Sequence, residues 1–198
     1  MLTLFFAPGA SSMAVHIALH EIGAPSEVHP LSFRLRENRS PAYLALNPAG
    51  KVPTLLIDGR PLTEVAAILF YLARHFPEAG LLPENAEAEA QALSWMSFAA
   101  STLHSARGQG LDRAMSIWTI AETRMAGRGW LLGRYPIADI HLFRLFRLFR
   151  LFWRLNASFQ PDRDAFPNLV AHHDRMLARP AVRRTLETEA TVGYELPA

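Results

Sequence analysis

The sequence predicts an α/β domain followed by an all-helical domain. In the first 77 residues, short apolar runs alternate with amphipathic segments in the order strand, helix, strand, helix, strand, strand, helix. After a proline-marked stretch from Pro77 to Pro83, strand patterns stop and helical periodicity continues to the last residue. We therefore expect one domain over residues 1–77 and another over residues 85–198.

The α/β half begins with a strand and a tight turn. Leu2 to Phe6 is predicted as a strand, and the turn at residues 7–9 leads into a helix that begins near Ser11 or Ser12 and ends at Gly23. Cap and hairpin chemistry predicts the elements that follow. These are a strand from Ser26 to Leu31, a short helix between Ser40 and Asn47, strands at Thr54 to Ile57 and Arg60 to Leu62, and a helix from Thr63 to Phe76.

Apolar periodicity predicts five helices in the second half. They run from Ala86 to about His104, Leu111 to Ala126, Ala138 to Leu155, Asp164 to Leu177 and Ala181 to Thr188. Residues 142–153 repeat Leu-Phe-Arg, and on a helix the arginines at 144, 147, 150 and 154 stay within roughly 120° of the circumference. This pattern predicts a solvated stripe on a core helix or, as the alternative, a basic patch for acidic partners.

Composition argues against several classes of function. The 198 residues include 20 basic and 18 acidic side chains, and this charge of +2 does not indicate a nucleic-acid partner. There is no cysteine, so any reacting thiol must come from the substrate, and the histidines lack the spacing of a metal site. The N-terminal apolar run is too short for a signal peptide, and arginines interrupt residues 140–155, so we expect a cytoplasmic protein without a membrane span.

The first of three motifs is Phe-Ala-Pro-Gly-Ala-Ser-Ser at residues 6–12. It delivers the hydroxyls of Ser11 and Ser12 to the start of a helix, where unpaired amides and partial positive charge favour an anion. A hydroxyl there can donate to a thiolate and lower the pKa of the thiol. Because serine is also a preferred helix cap, the motif taken alone favours capping over catalysis.

The second motif, residues 47–55, places Pro53 directly before a buried strand. Proline cannot donate to a sheet, so its position predicts a special bend, with a cis bond between Val52 and Pro53. Such a bend leaves the amide and carbonyl of Val52 available to pair with an extended peptide. The alternative is an ordinary strand start.

The third motif is Leu-Thr-Glu-Val-Ala-Ala-Ile at residues 62–68. We expect Thr63 to cap a helix and Glu64 to lie in its first turn. The helix start can then hold a carboxylate while Glu64 binds an ammonium group, which are the two charges of an amino-acid end.

In this order, and with Trp-Leu-Leu-Gly-Arg-Tyr-Pro-Ile-Ala-Asp at residues 130–139, the motifs resemble the glutathione S-transferase family and most closely its bacterial beta-like branch. The resemblance covers the whole chain. It implies a thioredoxin-like N-terminal domain, a helical bundle, a homodimer, and glutathione as co-substrate. It also implies that Ser11 or Ser12 activates the thiol and that glutathione contacts the following residues: Lys51 at its glycyl carboxylate, Val52 and Pro53 at its cysteinyl part, and Glu64 and Val65 at its γ-glutamyl end.

Four positions depart from that family pattern. Ser11 stands where beta-like members often have cysteine, and Val65 stands where a serine usually follows the glutamate. The segment between His104 and Leu111 is shorter than is usual, and Pro136 replaces the serine or threonine that caps a core helix. These departures remove mixed-disulfide chemistry and one hydroxyl for the γ-glutamyl carboxylate.

The predicted function is conjugation of the glutathione thiolate to a small hydrophobic electrophile. The second-substrate pocket is predicted from one set of residues in the helical half, which are Trp95, Phe98, His104 and Trp118. Two alternatives remain open, namely a binding or regulatory protein that keeps the fold and a glutathione-dependent isomerase or dehalogenase. His16 on the first helix either supports the active-site turn or has a structural role.

Overall fold

The structure, a computed structural model, describes residues 1–155 and 165–192, without the side chains of residue 107 and of residues 151–155. The described chain forms two compact units. The first comprises Met1–Ala79 together with the segment that begins at Arg179, and the second comprises Gly80–Ala178. The predicted fold class is confirmed, with strands in the first unit and helices in the second.

A four-stranded mixed sheet organises the first unit. Its strands are β1 (Leu2–Phe6), β2 (Ser26–Pro30), β3 (Thr54–Ile57) and β4 (Arg60–Thr63). The spatial order is β2-β1-β3-β4, with β1 parallel to β2 and antiparallel to β3, and β3 antiparallel to β4. The parallel pair needs a crossover, which a helix supplies, whereas β3 and β4 are joined by the predicted Asp-Gly turn at residues 58–59.

Three helices accompany the sheet, α1 (Ser12–Ile22), α2 (Pro41–Leu46) and α3 (Val65–His75). Helix α1 ends at Gly23, whose φ of 64° is the left-handed conformation that glycine adopts without strain. Ser40 caps α2 by accepting a hydrogen bond from the amide of Tyr43. Each of these helices therefore begins or ends within a few residues of its predicted position.

The second unit contains α4 (Ala86–Phe98), α5 (His104–Ala106), α6 (Leu111–Met125), α7 (Ile137–Leu155) and α8 (Pro167–Leu177). A π-helical turn at Ala99–Leu103 joins α4 to α5. The predicted start of a helix at residue 164 lies outside the described residues. No helix among residues 1–155 and 165–192 combines the length and the apolar composition that crossing a bilayer requires.

Helix α9 (Pro180–Ala190) packs against α1 and belongs to the first unit, which differs from the predicted helical domain at residues 85–198. Two polar contacts fix the pair. The guanidinium of Arg179 binds Glu21 through two hydrogen bonds of 2.6 and 2.9 Å, and Nδ1 of His20 lies 2.8 Å from the hydroxyl of Thr185. Helical periodicity identified the helix but carried no information about its partner.

The arginine repeat on α7 is not a solvated stripe over the part that the structure describes. Arg144 is 5% exposed, and Arg147 and Arg150 are partly buried; the side chain of Arg154 lies outside the described set. Nη1 of Arg150 lies 3.0 Å from Nδ1 of His173 on α8. Burial and the neighbouring Arg150 charge lower the pKa of His173 to about 4, so the neutral ring accepts this hydrogen bond.

Candidate functional site

The sheet register brings the three sequence motifs to one end of the sheet. Phe5 pairs with Thr54, and Thr54 pairs in turn with Thr63. At this end β1 finishes and enters the loop before α1, β3 begins after Pro53, and β4 finishes before Glu64. Three motifs that are up to 58 residues apart, from residue 6 to residue 64, therefore meet because β3 runs opposite to its two neighbours.

The side chain of Ser12, the first residue of α1, holds the preceding loop at residues 7–11. The hydroxyl of Ser12 is buried, accepts a hydrogen bond from the amide of Ala7 at 3.1 Å, and donates to the carbonyl of Ala7 at 3.2 Å. Gly9 has a φ of 71°, a conformation that side chains disfavour, which lets the loop turn sharply into α1. Ser12 is thus engaged in the turn itself.

Ser11 differs from its neighbour. It occupies the position before the first residue of α1, and its hydroxyl makes no capping hydrogen bond to the helix. Its side chain is partly exposed. A partly exposed hydroxyl beside the positive end of an eleven-residue helix can donate to an anion that binds there.

The bond between Val52 and Pro53 is cis, as the sequence predicted. Val52 is buried, and among the described residues no hydrogen bond engages its amide or carbonyl. An extended peptide can pair with such a backbone segment in the manner of an added strand.

A buried polar network fixes the chain just before Val52. The hydroxyl of Tyr43 donates to the carbonyl of Lys51 at 2.6 Å, and Nδ2 of Asn47 donates to the same carbonyl at 2.8 Å. The hydroxyl of Thr54 lies 2.8 Å from that of Tyr43 and accepts from Asn47 at 3.1 Å. Burial raises the pKa of Tyr43, so the phenol remains a donor. The side chain of Lys51 itself is exposed.

The first two motifs also share an apolar cluster. Ala7 and Ala10 of the loop pack with Tyr43 and Val52, and Phe5 borders the group. Because these side chains are buried and pack against one another, the loop that carries Ser11 and the segment at Val52 are fixed relative to each other.

The third motif corrects one expectation. Thr63 is the last residue of β4, and Glu64, instead of Thr63, stands at the cap of α3. Glu64 has a φ of 69°, which is unfavourable for a residue with a Cβ atom. Strain of this kind persists where the surrounding structure imposes it, often at binding sites. The side chain of Glu64 is exposed, and Val65 begins the helix.

The predicted second-substrate residues lie in different environments of the helical unit. Trp118 is 2% exposed and stacks on Phe149 with ring centroids 4.7 Å apart, so it is part of the core and has no ring face for a ligand. Trp95 is also buried, whereas Phe98 is partly exposed and His104 is exposed. The guanidinium of Arg124 lies over the Trp95 and Phe98 rings, at 5.1 and 4.7 Å from their centroids.

Sequence reasoning missed Tyr43 and Glu189. Tyr43 lies inside the short helix predicted between Ser40 and Asn47, and its proximity in sequence to the predicted cis-proline segment was the available signal. Glu189, which contacts Gly9 and His16, gave no signal, because it follows the predicted end of the last helix at Thr188 and acidic residues usually face solvent. Within the part of the chain that the structure describes, no group of three or more His, Cys, Asp or Glu side chains could hold a metal ion.

Comparison with known proteins identifies one family for both units. Residues 1–74 match the glutathione S-transferase N-terminal domain, and residues 104–180 match the glutathione S-transferase C-terminal domain. The chain is 30% identical to the glutathione S-transferase GstA of Escherichia coli O157:H7, over 94% of this chain and 98% of that protein. It is 28% identical to a maleylacetoacetate isomerase of Pseudomonas aeruginosa, over 88% and 90% of the two chains.

Among solved structures, the fold is similar to that of a sphingomonad glutathione S-transferase complexed with glutathione, with a TM-score of 0.77 and 34% identity. That alignment covers 95% of this chain and 98% of the other. The chain therefore belongs to the glutathione S-transferase family.

Proposed function

We propose that this protein is a glutathione transferase whose first unit binds glutathione in an extended conformation. The cysteinyl part pairs with the backbone of Val52 next to Pro53, and the γ-glutamyl end binds at Glu64 and the amide of Val65. The glycyl carboxylate lies near the exposed Lys51. This arrangement places the sulfur at the start of α1. The observation that carries the proposal is the register that gathers all three motifs at one end of the sheet.

The chemical role of the protein is to stabilise the thiolate. Ser11 donates a hydrogen bond to the sulfur, since its hydroxyl has no capping bond to the helix, whereas the hydroxyl of Ser12 is engaged with Ala7. The thiolate then attacks an apolar electrophile, forming a carbon–sulfur bond as the leaving group departs. Preorganised donors in a site of this kind lower the free energy of the sulfur anion without reorganisation.

The electrophile is a small hydrophobic compound, and we assign its contacts in the helical unit to Phe98 and His104. Of the four predicted residues, these two have side-chain surface available. We further propose that the protein is a homodimer, as the family resemblance implies, and that it works in the cytoplasm, where the glutathione thiol stays reduced. Sedimentation at micromolar concentration tests the dimer, and a monomer there would contradict it.

The decisive experiment combines retention on immobilised glutathione with turnover of glutathione and chlorodinitrobenzene. Retention with turnover supports the transferase. Retention without turnover supports a binding or regulatory protein. Absence of both counts against glutathione as the ligand.

A glutathione-dependent isomerase is the second candidate, because one matched relative is a maleylacetoacetate isomerase. It uses the same thiolate, which adds to a double bond and leaves again after rotation. Isomerisation of a cis-dienoate, measured beside conjugation, separates the two activities.

A further inference from the structure

A buried carboxylate from the last helix holds the loop that carries Ser11. Glu189 lies near the C-terminal end of α9 and is 1% exposed. Its Oε2 accepts a hydrogen bond from the amide of Gly9 at 2.8 Å, and its Oε1 lies 3.1 Å from Nδ1 of His16. Because a carboxylate only accepts, Nδ1 of His16 carries the hydrogen. Glu189 therefore ties the loop to the helix that follows it.

The place of this carboxylate has no explanation within α9 itself. Negative charge in the last turn of a helix is unfavourable, and burial of a carboxylate costs free energy unless its oxygens are paired. Glu187, two residues earlier, is exposed, so the same helix accommodates an acidic side chain without the cost of burial. The partners of Glu189 lie in the loop and in α1, and its effect must be sought there.

The hydrogen bond at the Gly9 amide constrains the orientation of the Ser11 side chain, two residues further along the loop. The loop is fixed at Ala7 by the hydroxyl of Ser12 and at Gly9 by Glu189. Between Gly9 and the first residue of α1 only Ala10 and Ser11 remain. A rotation of the peptide before Gly9 would therefore be transmitted to the Ser11 hydroxyl and to the first amides of the helix.

We propose that Glu189 is a positioning residue of the glutathione site, which sets the acidity of the bound thiol by holding the Gly9 amide and His16. This inference rests on the proposed function. Glu189 does not contact the reacting atoms in this scheme; it acts through the loop. His16 has the supporting role that was one of its two predicted alternatives.

The test compares Glu189→Ala and Glu189→Gln with the matched control Glu187→Ala on the exposed face of α9. A glutamine can accept from Gly9 through its oxygen and donate to His16 in the other ring tautomer, so it can restore the tie that alanine removes. We expect Glu189→Ala to lower kcat/KM for glutathione about tenfold and to raise the thiol pKa of bound glutathione. Glu189→Gln should recover most of the loss, and Glu187→Ala should match the wild type.

Amide hydrogen exchange at residues 7–11 without glutathione provides a readout that is independent of activity. Faster exchange in Glu189→Ala alone shows that Glu189 holds the loop, whereas failure of the wild type to bind glutathione overturns the proposed function and leaves that loop contact standing. If Glu189→Ala does not fold, Glu189→Asp replaces it, because the shorter side chain cannot reach both partners. A folded variant with wild-type exchange and wild-type thiol pKa overturns the proposal, as does a loss of stability alone.

Discussion

The starts of helices α1 and α7 differ in what their polar groups bind. At α1 the hydroxyl of Ser11 makes no capping bond and is partly exposed. At α7 the carboxylate of Asp139 is fully buried, and its Oδ1 lies 3.2 Å from the amide of Leu131 and 2.7 Å from Nε2 of His172. Its Oδ2 has no hydrogen-bond partner among the described residues. Burial raises the pKa of Asp139, and the His172 hydrogen bond opposes that rise.

The contrast separates a polar group available to a ligand from one that lacks a partner. Water or a substrate can reach Ser11, so its missing cap costs little. Nothing among the described residues donates to Oδ2 of Asp139, and the residue at the capping position is Pro136, which has no N–H. We therefore expect loss of the Ser11 hydroxyl to affect chemistry and changes at the start of α7 to affect stability.

Ser11→Ala should produce the largest effect. Loss of a hydrogen bond to a charged sulfur costs about 1.5–3 kcal/mol, which corresponds to a roughly tenfold to hundredfold fall in turnover. The thiol pKa of bound glutathione should rise in parallel. Thiolate absorbance as a function of pH, measured with turnover, tests this. A variant with both values unchanged would show that the amides of α1 act on the sulfur without the hydroxyl.

Ser12→Ala should instead destabilise the fold. Its hydroxyl both accepts from and donates to Ala7, and removing it leaves those buried backbone groups without these bonds, at a cost of roughly 1–3 kcal/mol in the free energy of unfolding. Urea denaturation beside Ser11→Ala measures the difference. If Ser12→Ala shifts the thiol pKa more than Ser11→Ala does, the assignment of the two serines is reversed.

His141 should make the start of α7 sensitive to acid. Burial, with smaller contributions from the charges of Arg144 and His104, lowers the pKa of His141 from the usual 6.5 to about 3. Since the unfolded chain binds the proton more readily, this contribution to stability is complete above pH 6.5 and declines as the pH falls towards 3. The loss between pH 7 and pH 5 should be about 2 kcal/mol.

His141→Leu removes that titration and places an apolar side chain of similar size at the buried position. Urea unfolding at both pH values should show a smaller decrease for the variant than for the wild type. Equal decreases would mean that other groups account for the acid sensitivity.

Pro136→Ser should give the smallest effect and the only gain. Helix α7 begins at Ile137, and the amide of Asp139 donates a hydrogen bond to the carbonyl of Pro136 at 3.0 Å. Serine adds a hydroxyl for that amide and an N–H for Oδ2 of Asp139, so the free energy of unfolding should rise by about 1 kcal/mol.

Pro136→Ala supplies the N–H without the hydroxyl and separates the two contributions. Thermal unfolding of both variants measures them. A lower midpoint for Pro136→Ser would show that the fixed φ of proline contributes more than the two hydrogen bonds.

The parts of the site that depend on neighbouring residues in the sequence could be predicted. The loop before Ser11, the cis bond at Pro53 and the hairpin at residues 58–59 each depend on turn and proline preferences within a few residues. Thr63 was predicted as a cap because threonine is preferred there, whereas the positive φ of Glu64 is imposed by the fold and has no sequence signature.

Long-range contacts explain the rest. Glu189 meets Gly9 across 180 residues of sequence, and its residue type is ordinary for a solvent-facing position. The period of three on α7 gave the sector occupied by the arginines but not the direction of that sector, so the burial of Arg144 was missed. In both cases the sequence pattern described a single helix, whereas the burial of the side chain depended on the elements that pack against that helix.

The packing of α9 in the first unit also has a consequence for folding during synthesis. The segment that secures the Gly9 amide is translated after the whole helical unit, so a chain growing on the ribosome forms its sheet while the loop at Ser11 is still unsecured. Helix α1 keeps its α9-facing surface uncovered during that interval. A chain that stops before residue 179 contains every motif of the proposed glutathione site but lacks the helix whose Glu189 holds the Gly9 amide.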